Sequence, residues 1–185
     1  MDRSAAPAAP RVPPRPSAAA RGTLTSTSPE ETRSIGRALG AAARPGTLIA
    51  LIGPLGAGKT VLAKGIAQGL GVTSVVHSPT FVLMNEHRGR LPFYHLDAYR
   101  LNDPEEALVA GLLDDRQAGG VTVVEWADRL SDWLPDERLE LELTPNGLED
   151  RRTLAWQAFG AVHEQLASAL PAVANPAAKP ARAEQ

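Results

Sequence analysis

The sequence predicts an α/β fold in three layers, with a mostly parallel central sheet and antiparallel strands or hairpins at its edges. Short apolar runs such as 47–52 and 121–124 are typical of buried parallel strands, and they alternate with segments of helical periodicity. A glycine-rich turn joins the first of these strands directly to a helix pattern. Alternating runs within 81–96 and 138–159 predict the antiparallel hairpins.

The composition predicts one domain with a tail at each end. Residues 1–23 and 171–185 consist mostly of Ala and Pro with scattered charges. Neither segment can bury enough apolar surface to offset its ordering entropy, so we expect both to be disordered and the domain to span 24–170. The chain has no cysteine and no apolar run long enough to cross a membrane, which favours a cytoplasmic protein without membrane contact.

Charge is divided unevenly between the tails and the domain. The whole chain carries −2, residues 1–22 carry +3 and residues 171–185 carry +1, which leaves −6 for residues 23–170. An acidic domain is a poor binder of nucleic acid on its own. Any service to RNA is therefore expected to pass through another protein.

The first helix is predicted by the segment 28–31, Ser-Pro-Glu-Glu, which is a capping box with proline at the first helical position. The helix carries Ile35, Leu39 and Ala42 on one face and is expected to end near Arg44. The strand 47–52 follows it.

Residues 53–60, Gly-Pro-Leu-Gly-Ala-Gly-Lys-Thr, have the form G-x-x-x-x-G-K-T of a phosphate-binding loop. Its glycines let successive backbone N–H groups point at one anion, and the helix that follows adds partial positive charge there. Lys59 can reach the β- and γ-phosphates, and the Thr60 hydroxyl can ligate Mg²⁺. The fold is therefore expected to resemble P-loop NTPases. The residues expected to contact the nucleotide are Gly53, Leu55, Gly56, Ala57, Gly58, Lys59, Thr60 and Val61.

The remaining elements follow from periodicity and turn residues. They are a helix to Gly71, strands 81–84 and 91–96 joined by a connection at 85–90, a helix from Asp103 to Leu113, the strand 121–124, a short helical stretch 127–133, strands 138–143 and 152–159, and a helix 161–170.

Two acidic residues end apolar runs and are candidates for metal binding and catalysis. Glu125 ends the strand 121–124, and Asp97 ends the strand 91–96. An acid at the carboxyl end of a strand beside the phosphate loop can hold Mg²⁺ or orient a water. The sequence leaves open which of the two ligates the metal directly.

Other residues near these motifs lie where they can contribute to the same site or to its surroundings. Thr80, in Ser-Pro-Thr-Phe, lies where a loop can reach the γ-phosphate side. Arg152 can approach the nucleotide, although no local pattern establishes it. His95 is expected to be a packed or hydrogen-bonded strand residue rather than a ligand. Trp126 either lines the site or belongs to the core.

Four segments, in this order, resemble the TsaE (YjeE-type) family of bacterial tRNA threonylcarbamoyladenosine biosynthesis ATPases. They are Gly-Pro-Leu-Gly-Ala-Gly-Lys-Thr, Ser-Pro-Thr-Phe, His-Leu-Asp-Ala-Tyr-Arg-Leu and Val-Glu-Trp-Ala-Asp, and the likeness covers about residues 24–160. The last two segments are far more specific than the first. One departure is Pro54, where the family commonly has Asp.

The resemblance implies an ATPase that supports turnover of a complex of TsaB-type and TsaD-type proteins, with tRNA reached only through that complex. The modified tRNAs are those that read codons starting with A. Lys59 and Thr60 would bind phosphate and Mg²⁺, while Asp97 and Glu125 would act at the metal and the attacking water. Thr80 would belong to a nucleotide-responsive loop, and Thr32 matches a position near the base.

Two other functions remain open from the residues. A small-molecule kinase would need an acceptor pocket and a lid, and the stretch after Trp126 is short and acidic. A non-catalytic nucleotide switch would need binding but not hydrolysis. A GTPase is disfavoured because the chain contains no Asn-Lys-x-Asp segment.

Overall fold

The computed structural model describes residues 18–79, 84–101, 115–130, 133–147 and 150–170. Most of the N-terminal tail, the whole C-terminal tail, residues 81–83 and the helix predicted from Asp103 to Leu113 lie outside these ranges.

A single seven-stranded sheet organises the described residues, in the order β1-β7-β6-β2-β5-β4-β3. Its central strands β6, β2, β5 and β4 are parallel, and the pairs β1–β7, β6–β7 and β3–β4 are antiparallel. The predicted fold class is thereby confirmed. The strands are β1 Ala20–Ser26, β2 Thr47–Ile52, β3 Met84–Arg88, β4 Pro92–Asp97, β5 Val121–Glu125, β6 Arg138–Pro145 and β7 Arg152–Phe159.

The register of the central strands brings their carboxyl ends level. β2 lies between β5 and β6, with Leu51 opposite both Glu125 and Leu141. On the next strand, Asp97 lies opposite Glu125. The ends of β2, β5 and β4 therefore meet at one edge of the sheet, which is where ligands bind in open α/β sheets.

Two predicted boundaries are wrong. β1 begins at Ala20, inside the segment 1–23 that composition assigns to a tail, because it pairs with β7 along its whole length from Ala20 to Ser26. The connection predicted at 85–90 is mostly strand, since β3 continues to Arg88 in register with β4. Both β1 and β3 are stabilised by pairing with another strand, and the local amino-acid composition gives little indication of that pairing.

Three α-helices are described: α1 Pro29–Ala42, α2 Lys59–Gly69 and α3 Ala161–Ala167. The predicted cap of α1 is present, because the Glu31 backbone N–H donates to Ser28 Oγ at 3.1 Å. The Glu31 carboxylate reaches back one residue further than in a simple capping box and accepts both the N–H and the hydroxyl of Thr27 at 2.7 Å. These bonds lower the pKa of Glu31. No helix in the described ranges is both long and apolar enough to cross a membrane.

The sheet buries a core on each face. The helices α1, α2 and α3 cover one face through residues such as Leu39, Leu62 and Leu166, which are almost fully buried. The opposite face packs Tyr94 and Leu96 against a 3₁₀ turn at Ala127–Leu130. β2, β4 and β5 thus have apolar side chains on both faces, as their continuous apolar runs predict, whereas β6 alternates and buries its leucines on the helix-covered face.

Four glycines form the contact between α1 and α2. Gly36 and Gly40 on α1 face Gly65 and Gly69 on α2. A β-carbon on Gly40 would lie 2.1 Å from the carbonyl oxygen of Ile66, and the corresponding distances at the other three glycines are 2.2–2.4 Å. The two backbones therefore approach so closely that no side chain fits between them. The sequence signal for this contact is two pairs of glycines, with the members of each pair four positions apart (Gly36 and Gly40, Gly65 and Gly69).

The C-terminal helix is tied to the sheet by a buried histidine. β6 first pairs with β2 at Ile49, so the preceding residue, Leu48, needs another acceptor on that side. The Leu48 N–H donates to Nε2 of His163 at 3.1 Å, and this imidazole is 2% exposed. Burial lowers the pKa of His163 and outweighs the attraction of the nearby Glu137 carboxylate. The folded state therefore favours the neutral ring, whose Nε2 can accept.

We expect Gly40→Ala to destabilise the domain by about 1–3 kcal/mol, because the new methyl group overlaps the Ile66 carbonyl and forces α1 and α2 apart. Alanine would stabilise an exposed helix position, so the sign is diagnostic. Urea unfolding followed by circular dichroism measures the effect. Ser34→Ala on the exposed side of α1 is the control and should leave the midpoint nearly unchanged. Equal stability of Gly40→Ala and the parent would contradict the close contact.

The free energy of unfolding should also depend on pH through His163. The folded pKa lies below the ordinary value of 6.5, so the unfolded chain takes up the proton first as pH falls. The contribution of His163 is complete above pH 6.5 and is lost progressively between 6.5 and the folded pKa. His163→Gln keeps an acceptor for the Leu48 N–H and does not titrate. Urea unfolding from pH 7.5 to 5 should show the parent losing stability relative to His163→Gln, and parallel curves would refute the assignment.

Candidate functional site

A cavity of about 410 Å³ opens at the carboxyl edge of the sheet, over the ends of β2, β4 and β5. The phosphate loop, the two predicted acids and two aromatic residues line it. Its lining consists of Leu55, Gly56, Ala57, Gly58, Lys59, Thr60, Val61, Ser78, Asp97, Tyr99, Glu125 and Trp126.

The backbone of the loop has conformations that only glycine adopts without strain. Gly53 has φ 139°, and a β-carbon there would lie 2.3 Å from the carbonyl oxygen of Leu143. Gly58 has φ 101° and precedes the first residue of α2, so the loop opens directly onto the N-terminus of that helix. The free N–H groups and the helix dipole make this end of α2 attractive to anions.

The Lys59 ammonium is folded back onto its own loop. Nζ donates to the carbonyl oxygens of Gly53 at 2.6 Å and Pro54 at 2.9 Å. It also lies 3.5 Å from the centre of the Trp126 ring, which is a close cation–π contact. Burial lowers the pKa of Lys59, and the nearby carboxylates of Glu125, Asp128 and Asp97 oppose that shift.

Trp126 lines the cavity and also packs against the core on the second face of the sheet, so both interpretations of this residue hold in part. Its backbone has φ 58°, an unusual conformation for a bulky residue and one that marks local strain. The ring lies 4.8 Å from that of Tyr99, and the guanidinium of Arg129 lies 5.2 Å from the Tyr99 ring. The strained turn directs an aromatic surface toward Lys59.

Glu125 is held from both sides. It ends β5 and is only 2% exposed. One carboxylate oxygen, Oε2, accepts the hydroxyl of Thr60 at 2.8 Å, and the other, Oε1, lies 2.8 Å from Nε2 of His95. The expectation that His95 is a hydrogen-bonded strand residue is borne out by its complete burial on β4.

Asp97 is the more accessible acid, and both of its carboxylate oxygens accept hydrogen bonds. Its Oδ2 accepts the hydroxyl of Ser78 at 2.5 Å, and its Oδ1 accepts the backbone N–H of Tyr99 at 2.9 Å. The two acids are neighbours in the sheet, because Asp97 lies opposite Glu125 in the β4–β5 register. The edge therefore presents two carboxylates beside the first turn of α2.

The oxygen atoms at this edge suit Mg²⁺. Thr60, Glu125 and Asp97 supply a hydroxyl and carboxylates, the hard donors that this ion prefers. The described residues contain no cluster of three or more His, Asp or Glu side chains that could hold a metal alone. Mg²⁺ here would consequently need further oxygen ligands, such as phosphate and water.

The sequence also predicts three further nucleotide-binding residues on weaker grounds: Thr32, Arg152 and Thr80. Thr32 does not line the cavity: its hydroxyl is fully buried and bonds to Ser26 Oγ at 2.7 Å and to the Ser28 carbonyl oxygen at 3.1 Å. Arg152 lies against the loop, with Nη1 2.9 Å from the point where a Gly58 β-carbon would lie. Thr80 lies outside the described residues.

Two residues of the cavity were not singled out as site residues from the sequence. Ser78 lies in Ser-Pro-Thr-Phe, the segment from which the sequence predicts Thr80 as a site residue, and the Ser78 hydroxyl donates to Asp97. Tyr99 lies two residues after Asp97 in His-Leu-Asp-Ala-Tyr-Arg-Leu, and both its ring and its N–H contribute to the cavity edge. The segments were visible in the sequence, but the contacts that distinguish their members were not.

Comparison with known proteins identifies similar chains. The family model described as "Threonylcarbamoyl adenosine biosynthesis protein TsaE" matches residues 26–154. The tRNA threonylcarbamoyladenosine biosynthesis protein TsaE of Bacillus subtilis is 43% identical over 143 residues, which cover 77% of this chain and 89% of that protein. The protein of the same name from Mycobacterium bovis is 41% identical over 144 residues, covering 73% and 86%.

A solved structure has the same fold. The crystal structure of Bacillus subtilis YdiB superposes with a TM-score of 0.68 at 36% sequence identity, covering 82% of this chain and 94% of that one. The similarity therefore extends over the described sheet and its helices.

We expect Thr60→Val to lower the free energy of unfolding by about 1–3 kcal/mol, because it keeps the side-chain shape but leaves Oε2 of the buried Glu125 without its donor. Thr60→Ser retains the hydroxyl and is the matched control. Urea unfolding without nucleotide measures both. A serine variant as unstable as the valine variant would show that the methyl group, rather than the hydrogen bond, accounts for the loss.

Proposed function

The chain belongs to the TsaE family of threonylcarbamoyl adenosine biosynthesis proteins, and from this membership we propose that it is a Mg²⁺-dependent ATPase serving that modification of tRNA. The observation that carries the ATPase part is the hydrogen bond between Thr60 and Glu125 at 2.8 Å. It joins the phosphate loop to an acid at the end of a neighbouring strand, the pairing that P-loop NTPases use to hold a metal.

The loop and the first turn of α2 would bind the phosphates. Gly56 to Val61 line the cavity, so the free backbone N–H groups of this stretch would bind phosphate oxygens, and Lys59 would exchange its bonds to the Gly53 and Pro54 carbonyls for phosphate oxygens. Arg152, beside Gly58, adds a guanidinium close to the loop. ATP is proposed rather than GTP because the chain lacks an Asn-Lys-x-Asp segment.

Thr60 and Glu125 would hold Mg²⁺ together with phosphate oxygens. When bound, the ion supplies charge neutralisation on the phosphate oxygens. We assign Glu125 to the metal side because its carboxylate already contacts the Thr60 hydroxyl. Asp97, more exposed and bonded to Ser78, is assigned to the water side.

Hydrolysis would proceed by in-line attack of water on the γ-phosphorus. Asp97 would accept a hydrogen bond from the attacking water and fix its direction, while Lys59 and the loop N–H groups would stabilise charge on the phosphate oxygens. The P–O bond to the β-phosphate breaks as the new P–O bond forms, ADP leaves with the bridging oxygen and its electron pair, and the proton lost by the attacking water passes to a phosphate oxygen and from there to solvent. Glu125 would remain on the metal side of the site throughout the reaction.

Turnover by the isolated protein should be slow for two reasons. Lys59 must first leave two carbonyl oxygens and the Trp126 ring. In addition, no arginine lines the cavity within the residues that the structure describes, so a guanidinium for the transition state would come from Arg152 after movement or from a partner. TsaB-type and TsaD-type proteins are the proposed partners. The net charge of −6 on residues 23–170 favours contact with tRNA only through them.

The test of hydrolysis measures ADP released from Mg²⁺·ATP with no acceptor present. Asp97→Asn and Glu125→Gln should each lower the rate constant by about 10²-fold or more, because each removes a charged oxygen from the site. The affinity for ATP in EDTA should change little. Glu142→Gln, an exposed acid on β6, is the control and should behave like the parent.

The same assay distinguishes an ATPase from a small-molecule kinase, and a modification assay distinguishes it from a non-catalytic nucleotide switch. ADP formation that requires an added acceptor would indicate a kinase and overturn the proposal. Tests with purified TsaB-type and TsaD-type proteins complete the design, since the partner complex should change the hydrolysis rate. Equal rates with and without them would remove the partner-dependent part. Full tRNA modification by a variant that binds but does not hydrolyse ATP would indicate a switch.

A further inference from the structure

His95 is a polar side chain at a position where burial would favour an apolar one. It lies on β4 between β3 and β5, opposite Asn85 and Val123, and none of its surface is exposed. Its ring stacks on that of Phe93 at a centroid distance of 5.9 Å. Burying an imidazole in a sheet centre costs free energy unless its nitrogens are bonded, so its one strong contact is informative.

That contact is with Glu125. Side chains two residues apart on a strand share a face, so His95 and Asp97 on β4 lie on the same side of the sheet as Val123 and Glu125 on β5. His95 is the diagonal neighbour of Glu125, within reach of a long side chain. Its Nε2 lies 2.8 Å from Oε1. A carboxylate can only accept, so Nε2 carries the hydrogen and donates.

We expect the two hydrogen bonds to the Glu125 carboxylate to respond differently when Mg²⁺·ATP binds: one should break and the other should persist. The Thr60 hydroxyl is the group proposed to turn toward the metal, which would end its donation to Oε2. The bond from His95 comes from the sheet interior and need not change. It would then be the contact that keeps the carboxylate aimed at the first turn of α2.

We propose that His95 is a positioning residue: it fixes the Glu125 carboxylate toward Thr60 and the metal through the Nε2–H···Oε1 hydrogen bond. The inference rests on the proposed ATPase function. His95 does not line the cavity, so it touches neither nucleotide nor water in this role. Hydrogen-bond partners of metal-ligating carboxylates act in this way, and their loss typically costs about 10–100-fold in metal affinity or activity.

The experiment compares His95→Leu, which lacks a donor, with His95→Gln, whose amide nitrogen can take the place of Nε2. For each full-length protein, kcat and KM for ATP are measured, together with the affinity of the ADP complex for Mn²⁺ by electron paramagnetic resonance. His95→Leu should lower kcat and Mn²⁺ affinity about 10–100-fold with KM for ATP within about threefold. His95→Gln should recover most of both. His87→Leu, on the neighbouring strand β3, is the control for removing an imidazole from this hairpin.

Two results would overturn the proposal: His95→Leu retaining parental kcat and Mn²⁺ affinity, or His95→Gln losing as much as His95→Leu. If His95→Leu does not fold, His95→Asn replaces it, since its shorter amide cannot reach Oε1 and the contrast with glutamine remains. If the parent releases no ADP, the proposed ATPase function fails. The Mn²⁺ affinities of the same variants then decide the role of His95 by themselves.

Discussion

The parallel register of β2, β5 and β4 is the constraint on which the rest of this structure depends. It places Leu51, Glu125 and Asp97 side by side at the carboxyl edge of the sheet. The phosphate loop begins where β2 ends. The strand register alone is therefore sufficient to bring the loop and the two acids together. A shift of one residue in the β4–β5 pairing would turn the β4 side chains to the opposite face and separate His95 and Asp97 from Glu125.

The position of α2 is the second requirement, because the loop is useful only if its helix points at the same edge. The glycine contact with α1 fixes this position through backbone rather than side-chain packing. On the other side, Leu62 and Ile66 are completely buried beneath α2. The Thr60–Glu125 bond then connects the first turn of the helix to the sheet. A rigid support of this kind lets a small domain hold a loop with several residues in unusual conformations.

Strain and burial are concentrated around the site. Trp126 has a left-handed backbone, Lys59 is buried against loop carbonyls, and His95 and Glu125 form a polar pair inside the sheet. A domain chosen for stability alone would replace most of these groups by apolar residues. Their concentration at and directly beneath one cavity is what distinguishes the site from the remaining sheet edge.

The sequence by itself determined the fold class, the extent of β2 and β7, the start of α1 and the residues of the phosphate loop, because each depends on local periodicity or turn chemistry. It also placed Asp97 and Glu125 at strand ends. It could not determine the strand at Ala20, the buried position of Thr32 or the roles of Ser78 and Tyr99. These depend on contacts between segments far apart in the chain. Only the tertiary structure decided that His95, Glu125 and Thr60 form one hydrogen-bonded series, since strand register and helix packing, rather than sequence spacing, set the distances between their atoms.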